Sequence, residues 1–240
     1  MNKYLISVSG VAMALVLSST VLGAVTNFTS GTPISSTDVN NNFKNLNGNL
    51  TDGPCVTNNA SDEMVRVGPI CVDKYEASLW PDKTNAGTTP TLANTCLADG
   101  SDCTYVAQSR VNVAPTGGVS WLQATQACAN AGKRLLTPGE WFMAAVGTNP
   151  ANCNLSAPVD NTGSNPTCAS RHAVVDMIGN LSEFIDHVQA NSTGAGVDGF
   201  PHAGYTGGQY DSTGATLVNK YFANFLVSQI DARVGFRCAR

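Results

Sequence analysis

Short apolar runs, separated by long polar and glycine-rich stretches, dominate the chain from residue 54 onward. Such runs predict short β-strands, of which the plainest are Met64–Val67, Ile70–Asp73 and Val234–Cys238. The stretches 81–118 and 148–220 are predicted to consist largely of loops. So much irregular backbone needs cross-links or bound ions to hold it in place.

One helix is predicted after residue 120. Ser120 is a candidate N-cap for a helix over Trp121–Ala131, and Gly132 follows it, as glycine follows many helix C-termini. The helical period places four residues along one face, namely Trp121, Ala124, Thr125 and Cys128. This face is expected to pack on the core.

A second helix has a sharper start signal. Thr137 and Glu140 form a capping box, with Pro138 at the first helical position. The pattern predicts a helix that continues through Trp141 to Val146. Gly147 is expected to end it.

The N-terminus contains the one long apolar run of the chain. Lys3 precedes an apolar stretch from Leu5 to Val21, and the small residues Gly23 and Ala24 suit cleavage by signal peptidase. The pattern predicts a signal peptide over 1–24, so that the protein is secreted, periplasmic or on the cell surface. An uncleaved membrane anchor is the alternative, because the run approaches spanning length.

Residues 25–53 form a segment rich in Asn, Ser and Thr, without cysteine. Its apolar residues Val39, Phe43, Leu46 and Leu50 are spaced by four, three and four positions, which is a short a/d seam. A single short helix is marginal in water, so the seam needs a partner. Two interpretations stay open: a linker helix lying on the globular domain, or an oligomerising stalk that forms a homo-oligomer through residues 36–50.

Composition narrows the class of protein. The chain has 240 residues, of which 12% are charged and 42% are hydrophobic, with a net charge of −4. The apolar share is too high for a disordered tail, and no Lys/Arg cluster offers a nucleic-acid surface. One long apolar run excludes a polytopic membrane protein. Residues 54–240 hold all eight cysteines and all three tryptophans, and are interpreted as one domain.

Eight cysteines in an exported chain predict four disulfides, because thiols pair in oxidising compartments. Metal ligation is the weaker interpretation, since there is no Cys-x2-Cys pair and no Cys–His cluster. Only the spacing of Cys96 and Cys103 suggests a local loop.

Five segments follow one another along the chain in a characteristic order. They are MVRVGPICVDKYEAS at 64–78, GVSWLQATQACANAGKRLLTPGEW at 118–141, VVDMIGNLSEFIDH at 174–187, GG at 207–208 and VGFRCAR at 234–240. This order resembles the formylglycine-generating-enzyme family, also called the sulfatase-modifying-factor domain, over residues 64–240. The resemblance implies an α+β fold of the C-type lectin-like type. In that fold two helices lie around short antiparallel sheets with long loops, and here the fold would be stapled by disulfides.

The resemblance also implies a disulfide between the first helix and the terminal strand, which here is Cys128–Cys238. Closeness in sequence then suggests Cys55–Cys71, Cys96–Cys103 and Cys153–Cys168. All eight cysteines are expected to be structural.

Catalytic residues of the family are missing. Its enzymes oxidise a target cysteine with copper and oxygen, using two cysteines just upstream of the terminal strand. Cu(I) needs thiolates, and residues 207–237 contain no cysteine, so we expect no copper and assign no catalytic residue. A second branch of the family uses non-haem iron held by histidines, whereas His172, His187 and His202 are scattered. An enzyme of unrecognised oxidative metal chemistry stays as an alternative hypothesis.

The segment Asp176–Glu183 matches one that wraps a calcium ion in the family. The resemblance implies side-chain oxygens from Asp176 and Glu183, and backbone carbonyls from Gly179 and Leu181. Carboxylates and carbonyls are the hard oxygen ligands that calcium takes, so we expect a structural calcium ion. The alternative is that Asp176 caps a turn and Glu183 is solvated.

The stretch 205–233 alternates aromatic and small polar residues on a glycine-rich backbone, which is typical of adaptable binding loops. We predict that it contacts a protein or glycan ligand through Tyr205, Gln209, Tyr210, Asp211, Asn219, Tyr221, Asn224, Gln229 and Asp231. It also resembles the diversified region of retroelement-varied lectin-like proteins. One alternative is that Tyr221, Phe222, Phe225 and Leu226 are partly core and the rest is ordinary loop. Another is that the whole chain is a structural surface or tail component. No nucleic acid is expected as a partner, nor a membrane beyond the signal segment.

Overall fold

The computed structural model describes the globular part of the chain, within a compact unit that spans Thr51–Arg240. The described residues are 55, 57, 59–84, 90, 96–156, 158–190, 200–212 and 221–240. The predicted signal peptide 1–24 and the segment 25–53 lie outside them. None of the helices within these ranges is long and apolar enough to cross a bilayer.

Short strands form three small sheets around two helices in this part of the chain. The strands are β1 (Met64–Val67), β2 (Ile70–Asp73), β3 (Ala77–Trp80), β4 (Val106–Ser109), β5 (Arg134–Leu135), β6 (Ser182–Ala190), β7 (Pro201–Thr206), β8 (Tyr221–Leu226), β9 (Val234–Phe236) and β10 (Cys238–Ala239). Their orders are β1-β2-β10-β5, β3-β4 and β8-β7-β6-β9. All pairings are antiparallel except that of β6 with β9. The predicted α+β architecture is confirmed.

The two helices begin where their caps predict. Helix α1 is Trp121–Asn130, and the Ser120 hydroxyl accepts a hydrogen bond from the backbone N–H of Gln123. The Gln123 side chain in turn accepts from the Ser120 backbone N–H, which completes a capping box that the sequence interpretation had not included. Helix α2 is Pro138–Ala145, with Thr137 and Glu140 in the predicted box.

The terminal segment differs from its prediction. Val234–Cys238 was expected to be one strand, but it divides into β9 and β10, with Arg237 between them. β9 pairs with β6, whereas β10 pairs with β2 and β5. The chain therefore passes from one four-stranded sheet to the other at Arg237, whose side chain is completely buried. In the sequence, Val234–Cys238 is one largely apolar run, so its pattern does not show that the chain changes its pairing strands at Arg237.

Two apolar cores hold the layers together. The first packs α1 against β3, β4 and the sheet that contains β6, and the second packs α2 against β1, β2 and β6. Four disulfides cross-link these elements, and they are the four pairs suggested from the sequence: Cys55–Cys71, Cys96–Cys103, Cys128–Cys238 and Cys153–Cys168. Four disulfides are typical of proteins that fold in an oxidising compartment.

Candidate ligand-binding surface and candidate metal segment

Aromatic rings from β7 and β8 contact one another on the four-stranded sheet β8-β7-β6-β9. The strand register places Tyr205 opposite Phe222 and Ala203 opposite Phe225. The Tyr205 ring stacks on Phe222 with 5.4 Å between centroids, and it lies 4.8 Å from Phe225. Phe222 is 36% exposed, whereas Tyr205 and Phe225 both pack partly on the first apolar core. We call Tyr205, Phe222, Phe225 and the exposed Asn224 the aromatic surface.

Polar groups adjoin this surface. Asn224 donates a hydrogen bond to the Tyr205 hydroxyl, which partly offsets the rise that burial causes in the pKa of that phenol. The charge of Asp231 raises the Tyr205 pKa, and the charge of Arg233 lowers it. The Asp231–Arg233 pair is therefore within electrostatic reach of Tyr205, and we call it the charged edge.

The charged edge is an ion pair on a turn. The Arg233 guanidinium donates to both oxygens of Asp231, from Nε at 3.0 Å and from Nη2 at 2.8 Å. This holds the pKa of the Asp231 carboxyl below its usual range. Asp211 lies 3.8 Å from Arg233 and accepts a hydrogen bond from the Gln209 side chain. Arg233 was not predicted, although an arginine two residues after an aspartate was a visible signal for such a pair.

Two more of the predicted contact residues, Tyr210 and Gln229, lie in the segments that follow β7 and β8. The Tyr210 backbone N–H donates to the Asn180 carbonyl, which anchors the loop after β7. The Gln229 amide oxygen accepts from the Leu226 backbone N–H at the end of β8. Asn219 lies outside the described residues, and of Tyr221 only the backbone, paired with Thr206, is described. The alternative interpretation is correct for Phe225, which is partly core.

The predicted metal segment forms a tight, buried turn. Asp176, Gly179 and Asn180 all have positive φ, of 59°, 76° and 55°. A Cβ atom at Gly179 would lie 2.2 Å from the Asn154 carbonyl oxygen, so only glycine fits there. Left-handed Asp and Asn residues cost conformational free energy, and they persist only where surrounding contacts impose them.

Side chains supply those contacts. Asn180 donates to the Glu76 carboxylate at 2.6 Å and accepts from the Asp160 backbone N–H at 2.8 Å. Glu76 also accepts from the Leu181 backbone N–H at 2.9 Å. Asp176 accepts from the Gly163 backbone N–H at 2.9 Å. Sequence reasoning missed Glu76 and Asn180, which together fix the turn.

Arg237 lies among three buried carboxyl groups, those of Glu76, Asp176 and Glu183. Its Nε and Nη2 both donate to Glu183 Oε1, at 3.0 and 2.7 Å. Nη1 donates to the Asp73 carbonyl and Nη2 to the Val175 carbonyl, each at 2.8 Å. The guanidinium therefore fastens β2, the turn before β6 and β6 itself to the end of β9.

Burial and mutual repulsion affect the acids of this cluster. Burial raises the pKa of Glu76 well above its usual value, and the charges of Asp176 and Glu183 raise it further. Burial likewise raises the pKa of Asp176 to about 6, although the Gly163 hydrogen bond and Arg237 oppose it. The cluster thus holds more acid groups than the one arginine neutralises.

The predicted calcium ligands do not form an open ligand set. Glu183 is neither solvated nor free for an ion, because its Oε2 accepts from Trp141 Nε1 at 2.7 Å and its Oε1 is bonded to Arg237. In the described residues, the oxygens of Glu76, Asp176 and Glu183 do not all converge within 4.8 Å of one another. Asp176 and the carbonyls of Gly179 and Leu181 could serve calcium only if Glu183 exchanged its partners. Calcium binding stays a prediction.

Other metal chemistry has little support in the described ranges. The one converging group of three candidate ligands there is Cys96, Asp102 and Cys103, and its two cysteines are joined in a disulfide. All eight sulfurs are taken up by disulfides. The three histidines form no such group.

Comparison with known proteins identifies the fold. No family model matches the chain, and no curated protein matches it in sequence. The solved structure of the Major Tropism Determinant P3c variant superposes with a TM-score of 0.53 at 19% identity, over 75% of this chain and 52% of that one. The M1 variant gives 0.53 at 21% identity over the same shares. CarF aligns at 0.45 and 18% identity, over 71% of this chain and 85% of CarF, an overlap too low to inform the fold.

These structural similarities show the fold of the chain but not its ligand or its activity. The chain has a C-type lectin-like fold, as the Major Tropism Determinant has. It spans about half the length of the solved structures that it matches first, 52%.

Proposed function

We propose that the chain is an exported, non-catalytic scaffold related to the sulfatase-modifying-factor domain, and that it binds a protein or glycan ligand through the aromatic surface and the charged edge. The observation that carries the proposal is the exposed stack of Phe222 on Tyr205, bordered by Asn224 and the Asp231–Arg233 pair. Aromatic and arginine side chains beside small polar groups are the composition of energetic centres in interfaces.

The stiffness of this surface supports the proposal. Tyr205 is fixed by its two ring contacts and by Asn224, and Arg233 is fixed by two hydrogen bonds to Asp231. Side chains that are ordered before binding lose less conformational entropy when a ligand arrives. A rigid aromatic centre with a polar border therefore suits specific recognition better than an ordinary loop would.

The fold comparison supports the same function. The Major Tropism Determinant is, by its name, a protein that determines tropism, and its solved structures are variants. We extend to this chain the idea of a recognition role on a C-type lectin-like scaffold. A retroelement-diversified surface stays a prediction, which a reverse transcriptase gene and a near-copy of the 3′ end beside this gene would support. The oligomer through residues 36–50 also stays a prediction.

A binding screen tests the proposal. The disulfide-bonded chain is applied to immobilised glycans and to a displayed library of protein fragments, and each hit is titrated against the double variant Phe222→Ala/Asn224→Ala. We expect at least roughly a 30-fold loss of affinity, which corresponds to about 2 kcal/mol for a central aromatic contact.

Val111→Ala is the matched control, because Val111 is also exposed, at 49%, and lies between β4 and α1, outside the aromatic surface. A ligand that binds the double variant and the wild type equally would contradict the proposed surface.

A further inference from the structure

Both carboxylate oxygens of Glu183 accept hydrogen bonds inside the fold, and most of these bonds come from a cation, the Arg237 guanidinium. Arg237 supplies three of the contacts to this carboxylate, at 2.7, 3.0 and 3.2 Å. Both residues are completely buried or nearly so. A forked guanidinium on a carboxylate is a strong and directional pair.

The same guanidinium also takes two backbone carbonyls, those of Asp73 and Val175, at 2.8 Å each. One carboxylate and several carbonyls around a single positive charge are the donor types that calcium takes. We propose that the Arg237 guanidinium stands in for a structural cation. The Asp176–Glu183 turn of this chain is then held by the Arg237 side chain and does not depend on calcium.

The proposal explains why the terminal strand is interrupted. Arg237 lies between β9 and β10, where the chain changes sheets, and its contacts reach β2, Val175 and β6. One residue thus joins both four-stranded sheets to the turn. Breaking a buried ion pair by removing one partner leaves the other charge uncompensated, which is strongly unfavourable.

Removal of the arginine should therefore create a demand for an external cation. In Arg237→Gln, the Glu183 carboxylate and the carbonyls of Asp73 and Val175 lose their positive partner. Calcium could then enter among these oxygens. Arg237→Lys keeps the positive charge but loses the forked guanidinium that donates several hydrogen bonds, and this variant should not need calcium.

Thermal unfolding and terbium luminescence test this on the full disulfide-bonded chain. Each variant is melted in calcium chloride and in EDTA, and Tb³⁺ emission is excited through Trp141, whose indole lies 2.7 Å from Glu183. We expect equal midpoints in both buffers for the wild type and for Arg237→Lys, without Tb³⁺ emission that calcium displaces. We expect Arg237→Gln to melt several degrees lower in EDTA, to recover in calcium, and to show emission that a further Glu183→Gln change abolishes.

Arg233→Gln is the matched control, because it removes the same charge from an exposed side chain. The proposal is overturned if calcium raises the wild-type midpoint, or if wild-type Tb³⁺ emission disappears in Glu183→Gln. It is also overturned if Arg237→Gln folds but responds to calcium no more than Arg233→Gln does. If Arg237→Gln does not fold at all, the wild type and Arg237→Lys still decide, since a calcium response in either one contradicts the stand-in role.

Discussion

The disulfide between α1 and β10 should be the most stabilising of the four. Cys128 and Cys238 are both completely buried and are 110 residues apart in sequence. A cross-link stabilises chiefly by restricting the unfolded chain, and the effect grows with the logarithm of loop length. In the chain-entropy relation, a loop of this length gives about 4.8 kcal/mol at room temperature.

Cys96–Cys103 provides the comparison within the same molecule. These cysteines are only 7 residues apart, and the same relation gives about 2.4 kcal/mol. The double variant Cys128→Ala/Cys238→Ala should therefore lose about 2.4 kcal/mol more free energy of unfolding than Cys96→Ala/Cys103→Ala. Because single domains are stable by only about 5–15 kcal/mol, the long-loop variant should be close to unfolding.

Urea unfolding of the full chain without reductant measures both losses, from the midpoint and slope of each curve. Tryptophan fluorescence is a suitable signal, since Trp80 and Trp141 are buried. If the short-loop variant loses as much stability as the long-loop variant, the argument from loop length is refuted. The two disulfides would then contribute mainly through native packing.

Three further outcomes are expected. Arg134 donates to Glu140 and holds the pKa of that carboxyl at about 2, below its usual value of 4.5. The stability that wild type has over Glu140→Gln should therefore be full above pH 4.5 and be lost as the pH falls through about 2. A difference in urea midpoint between the two proteins that does not change with pH would contradict the pairing. Thr137→Ala should lower the free energy of unfolding by about 1 kcal/mol, since the N-cap of α2 is lost, with no change in midpoint as the refuting result. Phe225→Ala should lower the free energy of unfolding by about 2 kcal/mol, because Phe225 packs partly on the core. Phe222→Ala should lower it by less than about 1 kcal/mol, because Phe222 is more exposed. An equal loss for the two variants would place Phe222 in the core.

Helices were predictable here because their signals are local. Thr137 and Glu140 are three residues apart, and their reciprocal hydrogen bonds follow from chain geometry alone. The strands β1 and β2 were predictable for a similar reason, since they pair with each other across a two-residue connection. Both predictions needed no knowledge of distant parts of the chain.

The candidate sites depend on contacts that no local pattern contains. Glu183 and Arg237 are 54 residues apart, and Asn180 and Glu76 are 104 apart. The family resemblance implied that Glu183 is a calcium ligand, which stays a prediction, whereas its bonds to Arg237 in the terminal segment were not predicted. Nothing in the sequence of either segment shows that a guanidinium and a carboxylate converge there, because the sheet topology brings them together.

The topology also separates the residues that hold the fold from those proposed to bind. On β6 and β7, Glu183 and Thr206 are opposite each other and buried, and the bonds from Arg237 and Trp141 lie there. On β8, Phe222 and Asn224 are exposed, and Asn224 is bonded to Tyr205 within the same surface.

Exposed substitutions away from buried networks usually change stability by less than about 0.5 kcal/mol. Asn224→Ser, Asn224→Asp and Asn224→Tyr should therefore melt close to wild type while differing in ligand affinity. That is the physical requirement for a scaffold whose ligand can change while its fold does not, and a large melting difference among these three variants would contradict it.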